Sequence, residues 1–415
     1  MATNMEKLVI IGSGQAAIQL SASLRQKKYD GRITMIGEEP YLAYQRPPLS
    51  KAFLKGELEE GRLFLKPQKF YDDKDIELIS GARVEKVDTA NKAVTIGGGT
   101  SYSYDKLVFA TGTRPRMIPE LEGAENVQVM RTLDDAKALK TQVDKLNHVT
   151  IVGGGYIGLE AAAVLRKMGV AVDVLERMPR LLARVIGEEI SDYFKNLHEA
   201  NGVNIRLGAE VQAYQKDGNS IKGVELNDGT TSKTDLILVG IGVLPNQELA
   251  AEAGIEVGNG IIVDENCETS VSGIYAIGDN ALRPLEGQSE KLRLESVPNA
   301  IDMAETAARH ILGLERPAYD PPWFWSDQYD TKIQTVGLFS EHTETFVRGD
   351  VAAGKFSVFY FKSETFLAVD SVNDPQSFMA CKNILKMGLR LTSEAVQDQS
   401  KTMMDIFKEL KTQKV

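Results

Sequence analysis

Two short stretches decide the fold of this chain: LVIIGSGQAA at residues 8–17 and VTIVGGGYIG at residues 149–158. Each runs from an apolar strand into a glycine-rich turn and then into a helical pattern. A second apolar strand follows and leads to an acidic residue, Glu38 in the first case and Glu176 in the second. These acids follow the first glycine of their turn by 26 and 23 residues, close to the spacing of about 20 that is typical of dinucleotide-binding units. The pattern therefore predicts two nucleotide sites on one chain.

The chemistry of a bound dinucleotide explains the residue types in both turns. The first glycine permits a tight turn, the second lets the backbone approach a pyrophosphate, and the third position must be small so that helix and strand can pack. These positions are Gly12, Gly14 and Ala17 in the first turn, and Gly153, Gly155 and Gly158 in the second. The helix N-terminus offers N–H groups to the phosphates, and the acid accepts hydrogen bonds from ribose hydroxyls. One such motif could be a plain glycine turn in an α/β domain, but two in the same context indicate an electron-transfer flavoprotein.

Composition and charge narrow the class of protein. The chain has 415 residues, of which 43% are hydrophobic and 26% are charged, and this length predicts about two to four domains. The longest apolar stretches, such as residues 236–244, are too short to span a bilayer, so we expect no membrane association. The first strand begins almost at the N-terminus and leaves no room for a targeting segment, so we expect a cytoplasmic location. The net charge of −10 argues against nucleic acid as a partner.

The few cysteines and histidines exclude two kinds of site. The only cysteines are Cys267 and Cys381, which form no CxxC motif. Flavin disulfide reductases need a cysteine pair to pass electrons to their substrate, so this activity is not expected. The four histidines are scattered along the chain, and we predict no metal site.

A repeat organises the first two thirds of the chain. The two glycine turns lie 141 residues apart, and each is followed by strand-like pieces, a further turn at residues 97–99 or 227–229, and a last strand that ends in glycine. We therefore predict an α/β fold with two Rossmann-like dinucleotide-binding domains of similar topology. A strand that ends in Gly278 and Asp279 would place a carboxylate at the carboxyl edge of a parallel sheet, so we expect the chain to return there to the first domain.

The pattern changes from about Pro321 onward. Four pieces tend to alternate apolar and polar residues and predict an antiparallel sheet, followed by helices of which the last covers residues 397–414. The four pieces are residues 333–338, 345–348, 356–361 and 366–372. These predictions divide the chain into a discontinuous first nucleotide-binding domain (1–113 and 247–320), a second nucleotide-binding domain (114–246) and a C-terminal α+β domain (321–415).

Several motifs carry a resemblance that runs nearly the whole length of the chain. They are YQRPPLSK at residues 44–51, ATG at 110–112, RTLDDA at 131–136, LESVPNA at 294–300 and PWFWSDQ at 322–328. In these motifs the chain resembles the FAD-dependent NADH:ferredoxin reductases of the putidaredoxin reductase and rhodocoxin reductase type. The resemblance implies a glutathione-reductase-like architecture.

The resemblance also implies which residues hold which cofactor. FAD in the first site would contact Gly12, Gly14, Ala17, Glu38, Arg46, Lys51, Ala110, Arg131, Asp279, Val297 and Trp325. NADH in the second site would contact Gly153, Gly155, Ile157, Gly158, Glu160, Glu176, Arg184, Gly242 and Glu295. The expected catalytic residues are Lys51, which places a positive charge beside the flavin ring, and Glu160, which pairs with Lys51 and orients the nicotinamide.

The activity that the resemblance implies is electron transfer from NADH to a ferredoxin. NADH would give a hydride to N5 of FAD, and single electrons would then pass to a 2Fe-2S ferredoxin that feeds a haem-thiolate monooxygenase or a ring-hydroxylating dioxygenase. Glu176 favours NADH over NADPH because a carboxylate repels a 2′-phosphate, although the nearby Arg177 and Arg180 could tolerate one.

Other activities remain open at the level of sequence. The same architecture serves rubredoxin reductase, monodehydroascorbate reductase and NADH oxidase. A binding protein similar to apoptosis-inducing factor is a further alternative, which slow reoxidation after NADH would support.

Overall fold

The computed structural model describes residues 5–413, which form two compact units. The first unit consists of the chain up to Gln45 together with Glu59–Arg114 and Val243–Ala318. The second consists of Arg46–Leu58, Pro115–Gly242 and the chain from Tyr319 onward. Each unit contains one of the two glycine turns.

The α-helices of the described chain are short to medium in length. They are α1 (Gln15–Gln26), α2 (Gln68–Asp73), α3 (Leu133–Gln142), α4 (Tyr156–Lys167), α5 (Glu188–Ala200), α6 (Glu248–Glu252), α7 (Val297–Ile311), α8 (Pro375–Lys386), α9 (Ser393–Gln397) and α10 (Met403–Gln413). None of these ten is both long enough and apolar enough to cross a membrane.

The first unit is built on a five-stranded parallel sheet. Its strands, in spatial order, are Ile274–Ala276, Lys106–Phe109, Lys7–Ile11, Arg32–Gly37 and Ile76–Ser80. Continuous apolar runs such as Leu8–Ile11 are buried, as is usual where helices cover both faces of a parallel sheet. The strand Ile274–Ala276 pairs with Lys106–Phe109, so the chain does return to the first sheet.

Smaller sheets complete this unit. The predicted turn at residues 97–99 joins two strands of an antiparallel sheet, and Gly98 and Gly99 both have positive φ there. The small sheets are Val84–Asp88 with Ala93–Ile96 and Ser101–Ser103, Val257–Gly258 with Gly260–Ile262 and Ala281–Leu282, and Thr113–Pro115 with Val243–Pro245.

The second unit repeats the plan of the first. Its parallel sheet has the order Val203–Leu207, Ala171–Glu176, His148–Val152, Leu236–Val239 and Val127–Gln128. The accompanying antiparallel sheet is Val211–Asp217, Ser220–Leu226 and Thr231–Lys233, with the predicted turn at residues 227–229 between its last two strands. Helix α3 begins with a capping box in which Thr132 and Asp135 each accept a hydrogen bond from the other's backbone N–H, which fixes where the helix starts.

The second unit also contains the C-terminal antiparallel sheet. Its order is Trp323–Gln328, Thr331–Gly337, Thr365–Val372, Lys355–Lys362 and Glu344–Asp350. Helix α8 packs on it through Phe378 and Cys381, which lie in one apolar cluster with Phe359 and Val369. The sequence predicted four of these strands and missed Trp323–Gln328, because its first three residues are a continuous aromatic run without alternation.

The C-terminal helix differs from its prediction. A single helix was expected over residues 397–414, but the structure ends α9 at Gln397 and begins α10 at Met403; Lys414 lies outside the described residues. The Arg348 guanidinium donates to the carbonyl oxygens of Val396, Asp398 and Lys401. These bonds stabilise the break between α9 and α10, because they occupy carbonyl oxygens that would accept backbone hydrogen bonds in a continuous helix.

Candidate functional site

The first glycine turn forms a cradle at the N-terminus of α1. Gly12 has φ +110°, and a Cβ at this position would lie 2.2 Å from the carbonyl oxygen of Ala110, so glycine is required. A Cβ on Gly14 would meet no atom within 4 Å, which leaves open space beside the backbone. Gly14 is also the N-cap of α1, and no side chain caps the helix there. The space and the helix N–H groups fit a pyrophosphate such as that of FAD.

Other residues predicted to contact FAD lie at the same edge of the first sheet. Glu38 and Ala110 follow the two strands that flank the strand before Gly12, and Asp279 follows the next strand of the same sheet, Ile274–Ala276. Such an edge is where α/β sheets bind ligands. The Glu38 carboxylate is exposed and lies 3.0 Å from Arg83.

Two further predicted residues lie in the segment of the first unit around Arg293. Val297 is the first residue of α7, which Ser296 caps by accepting from Asn299 N. Glu295, predicted for the NAD site, is half exposed and pairs with Arg293 at 2.7 Å. Arg293 in turn donates to the carbonyl oxygen of Asp279 at 3.0 Å.

The second glycine turn has the same geometry. Gly153 has φ +111°, and a Cβ there would lie 2.4 Å from the carbonyl oxygen of Gly240. A Cβ on Gly158 would lie 2.5 Å from the carbonyl oxygen of Gly153, so the third position of this motif must be glycine. Gly155 is the N-cap of α4 and again no side chain caps the helix. The turn fits the pyrophosphate of NAD(H) as the first turn fits that of FAD.

Glu176 is held beside this turn by backbone hydrogen bonds. Its Oε2 accepts from Gly154 N and its Oε1 from Met178 N, both at 2.7 Å. Arg180 donates instead to the carbonyl oxygens of Ile186 and Ala183 at 2.7 and 2.9 Å. The guanidinium of Arg180 is therefore engaged by its own chain, whereas Arg177, the other arginine that could tolerate a 2′-phosphate, is exposed.

The remaining predicted NAD residues lie close to the same turn in the second unit. Ile157 is exposed on the first turn of α4, with 47% of its surface accessible. A Cβ on Gly242, which has φ +103°, would lie 3.4 Å from the Arg184 guanidinium. The structure thus brings Arg184 and Gly242 together.

Lys51 and Glu160 form an ion pair in which the carboxylate is buried and the lysine is half-buried. Glu160 lies on α4 with only 3% of its surface exposed. The ammonium of Lys51 is 2.6 Å from Glu160 Oε2 and also lies 3.2 Å from the carbonyl oxygen of Pro47. The two predicted catalytic residues are therefore in direct contact.

Two serines that the sequence analysis did not assign complete the surroundings of Glu160. Ser50 donates to Oε2 at 2.9 Å and Ser326 donates to Oε1 at 2.7 Å. Ser50 and Lys51 reach the same carboxylate from adjacent positions because Leu49–Phe53 is a helical turn interrupted at Lys51, with φ −127° and ψ −109°. No local signal marked Ser326, because the strand that carries it, Trp323–Gln328, begins with an aromatic run that does not alternate.

Three further residues predicted to contact FAD, Arg46, Arg131 and Trp325, belong to the second unit. Arg46 donates to the carbonyl oxygen of Arg131 at 2.7 Å, and Arg131 N donates to Asp135 at the start of α3. Trp325 lies in an aromatic group, with its ring 5.6 Å from that of Trp323. The structure thus brings Arg46 and Arg131 together.

The cysteines have no redox partner. Both are buried free thiols, and burial raises the pKa of Cys267 to about 12 and the pKa of Cys381 well above its usual value. Neither is a reactive thiolate at neutral pH. Residues 5–413 also contain no group of side chains suited to a metal ion.

Comparison with known families identifies the family of the chain. Residues 6–304 match the family described as pyridine nucleotide-disulphide oxidoreductase, and residues 323–407 match the reductase C-terminal family. The first match covers most of the chain, including both glycine turns, the Lys51–Glu160 pair and Glu176.

Individual relatives cover almost the full length. The chain is 41% identical to rhodocoxin reductase of Rhodococcus erythropolis over 94% of this chain and 92% of the relative. It is 36% identical to putidaredoxin reductase of Pseudomonas putida over 97% of both chains. In the crystal structure of the covalent putidaredoxin reductase–putidaredoxin complex, the matching chain has a TM-score of 0.95, with 98% of this chain and 99% of that chain covered.

These matches confirm the predicted fold class, the oxidoreductase activity and the use of FAD and NAD(H). The chain belongs to the pyridine nucleotide-disulphide oxidoreductase family, and within it to the reductases of the putidaredoxin reductase and rhodocoxin reductase type.

Proposed function

We propose that the chain is an FAD-dependent NADH:ferredoxin oxidoreductase, which takes two electrons from NADH and passes them singly to a 2Fe-2S ferredoxin. The observation that carries the proposal is the Lys51–Glu160 pair on the helix that follows the second glycine turn. A buried ion pair is costly to desolvate and is weak support for a fold by itself, so its presence beside a nucleotide cradle points to a role in catalysis.

The cofactor FAD would be held by residues of the first glycine turn and by the others predicted from the resemblance. They are Gly12, Gly14, Ala17, Glu38, Arg46, Lys51, Ala110, Arg131, Asp279, Val297 and Trp325. Bound FAD supplies the redox chemistry, since it accepts a hydride and releases electrons one at a time, which no side chain can do.

The nicotinamide nucleotide would be held by the second turn. The residues are Gly153, Gly155, Ile157, Gly158, Glu160, Glu176, Arg184, Gly242 and Glu295. Glu176 sets the preference for NADH, because its fixed carboxylate accepts from a ribose hydroxyl and repels a 2′-phosphate.

The catalytic roles fall to Lys51 and Glu160. Lys51 supplies positive charge to the flavin ring, which favours the reduced form with its added negative charge. Glu160 keeps Lys51 in place and orients the nicotinamide for hydride transfer. Because both oxygens of Glu160 are already bonded to side chains of the second unit, this carboxylate is oriented before a nucleotide binds.

The domain limits follow the same assignment. The FAD-binding domain comprises residues 1–113 and 247–320, the NAD-binding domain residues 114–246, and the C-terminal domain residues 321–415. The limits at 246–247 and 320–321 fall outside regular elements, whereas the limit at 113–114 falls within the strand Thr113–Pro115.

The partner is a 2Fe-2S ferredoxin, as the complex of the related putidaredoxin reductase with putidaredoxin suggests. That ferredoxin feeds a haem-thiolate monooxygenase or a ring-hydroxylating dioxygenase. The reductase works in the cytoplasm, where NADH is produced. Activities that depend on a reactive cysteine are disfavoured, because both thiols are buried and have raised pKa values.

The test is anaerobic stopped-flow absorbance of the purified holoprotein. NADH should bleach the flavin absorbance faster than NADPH does, and a 2Fe-2S ferredoxin should restore it rapidly. A ferredoxin whose cluster has been removed is the matched control and should restore nothing. If oxygen but no ferredoxin reoxidises the bleached flavin, an NADH oxidase is favoured. A purified protein that binds no flavin would overturn the assignment.

A further inference from the structure

Within the second unit, a buried row of hydrogen bonds begins at Glu160 and runs through Ser326, Gln328 and His198 to Tyr329. Ser326 donates to Glu160 Oε1 at 2.7 Å, and Gln328 Nε2 lies 3.3 Å from Ser326 Oγ. Gln328 Oε1 is 2.7 Å from His198 Nε2, and His198 Nδ1 is 3.4 Å from the Tyr329 hydroxyl. Ser326, Gln328 and His198 are all at most 1% exposed, so water does not compete for these bonds.

The chemistry of each group fixes the direction of the whole row. A carboxylate only accepts, so the single hydroxyl proton of Ser326 points to Glu160. Ser326 Oγ must then accept from the amide nitrogen of Gln328, which turns the amide oxygen of Gln328 toward His198. His198 must therefore carry its proton on Nε2. Nδ1 is left to accept from Tyr329, so every donor in the row points toward Glu160.

The row orients groups and does not transfer protons. A carboxamide does not readily accept and release a proton, so Gln328 interrupts any relay between His198 and Ser326. Burial lowers the pKa of His198, which keeps the imidazole neutral. A neutral, fixed row can only hold the last hydroxyl, and through it the carboxylate, in one orientation.

We propose that Gln328 and His198 are positioning residues that act through Ser326 to fix the Glu160 carboxylate in the orientation at which Oε2 meets Lys51. The inference rests on the proposed function of the Lys51–Glu160 pair. Ser326 occupies Oε1 and thereby leaves Oε2 to Lys51 and Ser50. If the row is broken, the carboxylate rotates and the hydride donor is no longer held in its reactive geometry.

The first experiment measures flavin reduction by NADH in stopped flow for wild type, Ser326→Ala and Gln328→Leu. At saturating NADH, we expect the reduction rate constant to fall about tenfold in both variants, while the dissociation constant of NADH changes less than about twofold. Ser326→Thr keeps the hydroxyl and should recover most of the rate. Ser371→Ala is the control, since Ser371 is a buried serine of the same sheet that is bonded to Ser357, and its rate should match wild type.

The second experiment needs no activity. In ¹⁵N spectra of histidine-labelled holoprotein, with the His198 signals assigned by their loss in His198→Asn, His198 should be neutral and protonated on Nε2 at neutral pH. A proton on Nδ1, or a charged imidazole, would overturn the inference even if Ser326→Ala fails to fold.

The outcomes separate the two proposals. Wild-type flavin that NADH does not reduce would contradict the proposed function. The proposed positioning role alone would be contradicted by a different result. In that case NADH reduces the flavin of the wild type, and it reduces the flavin of Ser326→Ala and Gln328→Leu as fast as that of Ser371→Ala.

Discussion

At the residue scale, Glu176 illustrates how a residue proposed to bind a nucleotide can be fixed in place by the protein. Its two carboxylate oxygens accept from the backbone N–H groups of Gly154 and Met178. Both bonds are local to the turn, so this carboxylate is already ordered, and the proposed contact with a ribose would carry no ordering cost for it.

Replacing Glu176 should change the nucleotide preference. In Glu176→Ala the repulsion of a 2′-phosphate is lost, so we expect the ratio of kcat/KM for NADH to that for NADPH to fall at least about tenfold. Steady-state rates with each nucleotide measure this ratio. Glu199→Ala removes an exposed carboxylate on α5 and should leave it unchanged; an equal ratio in both variants would show that Glu176 does not select the nucleotide.

Asp370 is a second residue whose surroundings have a measurable consequence. Its side chain is buried in the C-terminal sheet, and burial together with the nearby Glu189 raises its pKa to about 7. The Tyr360 hydroxyl donates to it at 2.7 Å, and this bond opposes the rise only in part. Between the pKa of about 3.9 that an Asp has in an unfolded chain and about 7, the folded protein therefore keeps a proton that the unfolded chain releases.

The sign of the resulting pH dependence follows from proton linkage. Since the folded state binds more protons, the free energy of unfolding falls as pH rises through this window, by up to about 1.4 kcal/mol per pH unit, and levels off above about pH 7. Asp370→Asn should lack this fall. The measurement is the urea midpoint at about pH 5 and pH 7, followed by the fluorescence of Trp323 and Trp325, which report on the same sheet. Asp330→Asn, an exposed control, should behave like wild type, and an unaltered slope in Asp370→Asn would refute the assignment.

At the element scale, the first strand–turn–helix element contains two glycines with different roles, one in the fold and one in cofactor binding. Gly12 is needed by the fold, because φ is +110° and a Cβ would strike the carbonyl oxygen of Ala110. Gly14 has φ −83° as the N-cap of α1 and open space beside it. The protein itself would accept a methyl group at Gly14, whereas a bound pyrophosphate would not.

Alanine substitutions should distinguish the role of Gly12 in folding from the role of Gly14 in FAD binding. Gly12→Ala should destabilise the protein by several kcal/mol, since both the backbone conformation and the contact are unfavourable. Gly14→Ala should leave the thermal midpoint of the flavin-free protein within about a degree of wild type but strongly reduce bound FAD. The flavin-to-protein absorbance ratio and calorimetry of the flavin-free proteins check both results. Full flavin content in Gly14→Ala would mean that the cradle is not the pyrophosphate site.

The sequence predicted most elements because their signals are local. Continuous apolar runs marked the parallel strands, and alternation marked four strands of the C-terminal sheet. The strand Trp323–Gln328 was missed because an aromatic run has no period, and the break between α9 and α10 was missed because Arg348, which makes it, lies about fifty residues earlier in the chain.

At the scale of the whole molecule, each compact unit is assembled from segments that are distant in sequence. The first sheet is completed only by the strand Ile274–Ala276, which arrives after the entire second parallel sheet. Its edge carries residues predicted to bind FAD, so cofactor binding should stabilise this unit.

Removing FAD should therefore lower the thermal stability of the protein. A ligand that binds only the folded state at 100 times its dissociation constant contributes about 2.7 kcal/mol. Scanning calorimetry of flavin-free protein, before and after addition of FAD, should show a higher midpoint with FAD. Gly14→Ala should show no such shift. A wild-type thermal midpoint that does not rise when FAD is added would contradict the proposed site.

Local patterns were enough to predict the two glycine turns and the acidic residues that follow them, and the family resemblance added the Lys51–Glu160 pairing. Glycine geometry and hydrophobic periodicity act over a few residues, so they can be read along the chain. The surroundings of Glu160 follow from the three-dimensional fold instead, because Ser50 and Ser326 lie 110 and 166 positions away from it in sequence. A buried polar group must find partners wherever folding brings donors to it, and no local pattern records which distant serine, amide or imidazole that will be.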